Sequence, residues 1–94
     1  MDMVGQFATS KAGHDKDTLY VIMGQEGDFV FLCDGDLRPP DKLKKKRKKH
    51  IQPIKRSVEG ALLEKLQRGE KVFAEEIRYA LKMYKLARVG CNND

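Results

Sequence analysis

Residues 19–33, LYVIMGQEGDFVFLC, hold two apolar runs, Leu19-Tyr20-Val21-Ile22-Met23 and Phe29-Val30-Phe31-Leu32-Cys33, parted by the polar stretch Gly24-Gln25-Glu26-Gly27-Asp28. Each run reads as a strand bounded by turn residues, and the stretch between them as a hairpin loop. Neither run alternates. A strand that is apolar at every position has both faces covered, so something must pack on the outside of this sheet.

Working outward, Val4 to Ser10 reads as an earlier strand, and Asp34-Gly35 before Leu37 reads as a two-residue type I′ hairpin, since Asp-Gly supplies positive φ at low cost. Short strands at regular spacing suggest a small barrel. Residues 1–41 carry three bases against eight acids. The balance then reverses: nine of the nineteen Lys and Arg lie between Lys42 and Arg56, in KLKKKRKKHIQPIKR, with no acid among them. The other ten bases face all fourteen acids, so the net charge of +5 comes from this one stretch. Arg38-Pro39-Pro40-Asp41 before it is a stiff connector, and Ile51-Gln52-Pro53-Ile54 after it is strand-like, so the tract is tethered at both ends. A focused run of cations is what phosphate neutralisation rewards. The bland alternative is a solvated linker.

Beyond residue 57 the period becomes helical. Val58, Ala61, Leu62 and Leu66 recur on one face, with Ser57 as N-cap and Gly69 as stop. A second helix is expected from about Ala74 to Val89, with Ile77, Leu81 and Tyr84 on its stripe, Glu75 and Glu76 in its first turn and Gly90 at its end. Helices this short are marginal alone. They are expected to dock as a hairpin on the face formed by Tyr20, Ile22, Val30 and Leu32, or on a partner.

The chain's 94 residues suit one small domain. No run is long enough to span a bilayer, and MDMVGQF has neither the basic region nor the apolar core of a secretory signal; the expectation is a cytoplasmic protein with no membrane partner. Cys33 and Cys91 form no CxxC pair, so neither a disulfide framework nor a zinc site is indicated. Cys33 reads as a small buried hydrophobe and Cys91 as part of a fraying tail.

Between the first two strands stands Ser10-Lys11-Ala12-Gly13-His14-Asp15-Lys16-Asp17. Gly13 permits a tight backbone, Lys11, His14 and Lys16 project donors from the tip, and Asp15 can cap the turn, an arrangement suited to phosphate and equally to a solvated turn. With its flanks, GQFATSKAGHDK (5–16) followed by LYVIM (19–23), the loop resembles the KOW motif of RNA-binding SH3-like barrels. FVFLCDGDLRPP (29–40) and KKKRKKHI (44–51) are similar to the later pattern of bacterial KOW-domain RNA-binding proteins, themselves similar to archaeal and eukaryotic large-subunit ribosomal proteins. The barrel resemblance covers about residues 4–54, and EKLQRGEKVFAEEIRYAL (64–81) resembles the group's C-terminal helical extension.

The resemblance implies an α+β fold: a mainly β, SH3-like KOW barrel of about five strands over residues 1–56, including the Lys-rich segment 42–56, followed by a two-helix extension over 57–94. It implies RNA as ligand, no catalysis, and contacts through the first loop, Lys11, Gly13, His14 and Lys16. The basic segments add Arg38, Lys42, Lys44, Lys45, Lys46, Arg47, Lys48, Lys49, His50, Lys55 and Arg56. The chain departs from the pattern in three places. Asp17 stands where glycine is most frequent, though Asp tolerates positive φ better than most residues. His14 stands where Arg is usual, replacing a permanent cation with a titratable ring. Phe73-Ala74 stands where a Thr-Asn-like capping pair is typical.

Catalytic constellations are missing from the sequence. Ser10, His14 and Asp15 crowd one loop without a scaffold to order them as a triad. Asp34 and Asp36 lack the downstream ligands of a calcium loop, and Gly24 to Gly27 lacks the Lys and helix of a P-loop. No metal or cofactor is expected. Phe7, Tyr20, Phe29 and Phe31 sit in strands and read as core in preference to base-stacking platforms; Tyr79 and Tyr84 read as helix packing. The expectation is therefore a non-enzymatic, translation-associated protein whose partner is structured or ribosomal RNA, with the ribosome itself in view. Double-stranded DNA is a lesser option. The rival is a protein-interaction adaptor that uses the barrel or the helices and keeps the Lys run as a linker.

Overall fold

One antiparallel sheet of five strands runs β4-β3-β2-β1-β5, built from β1 (Gln6–Ser10), β2 (Leu19–Glu26), β3 (Phe29–Cys33), β4 (Lys44–Arg47) and β5 (Ile51–Ser57). A 3-10 turn, Lys48–His50, joins β4 to β5, and two helices follow, α1 (Gly60–Arg68) and α2 (Ala74–Cys91). This is an α+β, mainly β architecture. The computed structural model describes residues 3–91, and side chains as far as residue 87. The reading of the chain's tail at Cys91 lies outside the described side chains.

The tract of cations is not a linker here but a strand and a turn. Lys44 to Arg47 pair with Leu32 to Phe29 along β3, and Lys48 N–H continues onto the Asp28 carbonyl at 2.8 Å. Edge strands tolerate lysine because the charge keeps other chains from pairing there. On the opposite edge, β5 carries Pro53, a residue that an edge strand accepts because no ladder bond is lost.

Both faces of β2 are covered over residues 19–22, as its unbroken apolar run requires, whereas on β3 the second face is covered only at Cys33. Tyr20, Ile22, Val30 and Leu32 join Ala8 and Ile51 in one core cluster. Phe7, Leu19, Val21 and Cys33 point the other way and join Val58, Val72, Ile77 and Leu81 in the second, where Phe7 stacks on Tyr84 with ring centroids 4.6 Å apart. The helices therefore cover the face opposite to the one the sequence reading assigned them. A run with no polar position carries no parity, so the hydropathy pattern could not choose between the faces.

Two turns and one strand end also differ from expectation. β2 continues to Glu26 through a register shift near Met23, which leaves Gly27-Asp28 as a two-residue turn in place of a longer loop. Asp34-Gly35 does not close a hairpin: the Asp34 carboxylate accepts from the Asp36 and Arg38 N–H groups, both at 2.9 Å, and opens a ten-residue loop to β4. Leu37-Arg38-Pro39-Pro40 cannot resume a ladder, because proline brings no N–H. At the chain's start, β1 begins at Gln6, not Val4.

The helices meet their expected residues with shifted ends. Ser57 closes β5, so α1 is preceded by Glu59 without a side-chain cap. Gly69 stops it with φ 71, its N–H on the Leu66 carbonyl and the Glu70 N–H on that of Lys65, which is the Schellman pattern. α2 passes through Gly90 to Cys91. The pair is tied by Lys65 and Glu76, whose Nζ and Oε1 lie 2.6 Å apart. Cys33 is buried, and that burial pushes its thiol up to about 11, so at neutral pH it acts as a small hydrophobe.

Gly35 anchors α2. Arg78 Nη1 donates to its carbonyl at 2.7 Å, and a Cβ at this position would stand 2.6 Å from Arg78 Cγ and 2.9 Å from the Ala74 carbonyl. Its φ of 82 also favours glycine. Gly35→Ala is expected to lower unfolding free energy by about 1–3 kcal/mol, read as a lower urea midpoint.

Candidate nucleic-acid interface

The first loop is organised around one carboxylate. Asp15 Oδ1 accepts from Lys46 Nζ at 2.7 Å and from Ser10 Oγ at 3.0 Å; Oδ2 accepts from the Tyr20 hydroxyl at 2.8 Å and lies 3.3 Å from Lys44 Nζ. Lys46 also donates to the Ala12 carbonyl at 2.8 Å. The side chains of Asp15 and Lys46 are 13% and 11% exposed, so the pair is largely withdrawn from water. The contact reaches past β3, since β4 is the edge strand on the β2 side of the order.

Burial alone would raise the Asp15 carboxyl. Hydrogen bonds from Lys46, Tyr20, Ser10 and Lys44 outweigh it and hold the group far below the usual carboxylate range. Burial and then the neighbouring Asp15 push the Tyr20 hydroxyl above its ordinary value. Two ammonium groups share one carboxylate, which leaves the cluster with a single positive charge. Ser10, buried and turned toward Asp15 and the Ala12 carbonyl, is committed to this network and not to His14.

With Asp15 drawn inward, Lys11, Gly13, His14 and Lys16 are left exposed around it. Asp17, at φ 72, takes a left-handed conformation, which Asp tolerates better than most residues. Lys11 N–H donates to the His50 carbonyl at 2.8 Å, which sets Lys48, Lys49 and His50 beside the loop. The first loop, Lys44, Lys46 and the 3-10 turn thus share one edge.

The remaining basic residues are elsewhere. Lys45 and Arg47 lie on the opposite face of β4, with Lys45 Nζ 4.4 Å and Arg47 Cζ 5.0 Å from the centre of the Phe29 ring. Arg38 and Lys42 ride on the loop between β3 and β4. Lys55 and Arg56 lie on the part of β5 nearest the helices, Arg56 being 5.8 Å from the Tyr84 ring. The sequence alone gives Asp15 only a turn-capping role: Tyr20, five positions away, reads as strand core, and Lys46, 31 positions away, leaves no local signal.

No protein-family model matches the chain, and no curated protein matches its sequence. Fold and site together define a small α+β domain with a basic sheet edge.

Asp15 has a lower value folded than unfolded. Its contribution is complete above the ordinary 3.8 and fades as pH falls toward the folded value. Asp15→Asn is expected to cost about 1–3 kcal/mol near neutral pH, with the gap from wild type narrowing below about pH 4. Urea titrations at both pH values measure it, and a gap that does not change with pH contradicts the ionised network.

Proposed function

We propose that the protein is a non-catalytic, cytoplasmic RNA-binding module associated with translation, with structured or ribosomal RNA as its ligand and a partly open SH3-like KOW barrel as its scaffold. Five antiparallel strands in this order, with a 3-10 turn before the last, support the barrel reading. The observation that carries the function is the shared edge, where the Lys11 N–H on the His50 carbonyl brings the first loop, with Lys11 and Lys16, alongside the turn of Lys48 and Lys49, and Asp15 ties that loop to β4. A loop and a turn already joined bring their ammonium groups to phosphate without first ordering the backbone that carries them. Lysines carry little base information, so recognition rests on the spacing of phosphates, which the A-form duplex fixes.

A protein-interaction reading has one observation in its favour. Tyr79, Met83 and Leu86 are exposed at helical spacing along α2, and Tyr79 and Met83 border a groove of about 890 Å³ against β5 and α1. Nucleic acid that co-purifies and is removed by a high-salt wash, seen in the ultraviolet absorbance ratio, separates the two readings.

Replacing Lys11, Lys16, Lys48 and Lys49 by Gln is expected to weaken RNA binding and to flatten the log-log salt dependence by roughly 0.7 to 0.9 per lost contact. Filter binding across a salt series reads the slope. An unchanged slope removes these groups from the interface, and competition with a DNA duplex at matched salt reports the preference for A-form RNA.

A further inference from the structure

β3 carries two aromatic rings that neither core cluster uses. Phe29 and Phe31 alternate with Val30 and Leu32, so they share the face turned away from that pair, and both are only partly buried. Cys33 lies on the same face beneath the helices, but the helical cover ends before Phe31. On the β2 flank Gly24 pairs with Phe31 and offers no side chain, so the ring lies low against the strand there, its Cδ2 3.5 Å from where a Cβ would stand, and nothing on Gly24 covers its outer face. On the β4 flank Lys45 pairs with Phe31 and Arg47 with Phe29, and both cations lean over the Phe29 ring. Neither forms an ion pair with a carboxylate among the described residues. Glu26 stands across from Phe29 on β2 and Asp28 in the adjoining turn, which places the acids on one border and the cations on the other.

We propose that this face is a stacking platform for unpaired bases, a second nucleic-acid site that takes a single-stranded segment. The inference rests on the RNA reading above and adds the part of an RNA that this face receives. Alternate residues of a strand stand about 7 Å apart, so the two rings offer separate places for successive bases along one direction. Every base has a π face, so such stacking tolerates sequence, whereas a duplex keeps its bases within its own stack and has none to offer. The ammonium and guanidinium over Phe29 are held by an exposed cation–π contact, the weaker claim on them. A base arriving on the ring releases both to the phosphates on the β4 side, while Glu26 and Asp28 repel the backbone from the other border.

The experiment compares a short labelled oligouridine with a blunt RNA hairpin by fluorescence anisotropy at fixed salt, on wild type, Phe29→Leu and Phe31→Leu. Leucine keeps the apolar volume and removes the π face. Each change is expected to weaken oligouridine about tenfold and to leave hairpin affinity and the oligouridine salt slope as they were. In wild type, the ring protons of Phe29 and Phe31 are expected to move upfield in the NMR spectrum as oligouridine is added, a readout that needs no variant. Unchanged oligouridine affinity in both variants with unmoved ring protons overturns the platform while hairpin binding stands. Failure of both RNAs to bind wild type overturns the RNA reading and this one with it.

Discussion

The arrangement of charge in this protein depends on a single carboxylate that is mostly withdrawn from solvent. Burying Asp15 is unfavourable in itself, and the hydroxyls of Tyr20 and Ser10 with the ammonium groups of Lys46 and Lys44 offset that cost. The consequence reaches beyond the loop. A strand made only of cations has no hydrophobic pattern to set which side chains face inward. Asp15 supplies that choice: Lys44 and Lys46 turn toward it, and Lys45 and Arg47 are left on the outside. A slip of one residue would exchange the two pairs, so the carboxylate does for this strand what buried apolar residues do for an ordinary one.

The same logic explains what the sequence made legible. β3 was read at its observed ends, the stop of α1 at Gly69 and the start of α2 at Ala74 were marked by local chemistry, and both are where the residues put them. The face chosen by the helices was not readable, because Leu19 to Met23 and Phe29 to Cys33 are apolar throughout. What decides it lies far away in sequence: α2 closes on Gly35 through Arg78, 43 residues later, where only the absence of a Cβ allows the approach. The same contact explains why Asp34-Gly35 is conformationally right for positive φ and yet belongs to a docking loop instead of a hairpin.

The cations were legible as a group but not as individuals. Their number and their confinement to Lys42–Arg56 are properties of the string, whereas their division into internally paired and outward-facing members follows from strand parity and from Asp15. Lys55 and Arg56, continuous with the tract in sequence, leave it in space because β5 carries them toward the helices. Aromatic residues misled in the opposite direction. Phe7 and Phe29 look alike as strand residues, but Phe7 meets Tyr84 and is buried, while the helices end before reaching Phe29.

Edge protection alone would account for part of this basic surface, since lysines on β4 deter pairing with a second sheet. It does not account for the rest. Protection needs charge along the ladder, yet Lys48 and Lys49 continue the run beyond β4 into a turn, and Lys11 and Lys16 lie on another connection altogether, brought alongside through the Lys11 N–H and the His50 carbonyl. Nor would protection call for Lys44 and Lys46 to be drawn into an internal network, where they guard the edge less well than exposed side chains would. Like charges gathered from two separate connections repel one another, and the fold has to carry that repulsion. The proposed polyanion ligand would relieve that repulsion on binding, whereas dispersed charge would serve solubility as well without it.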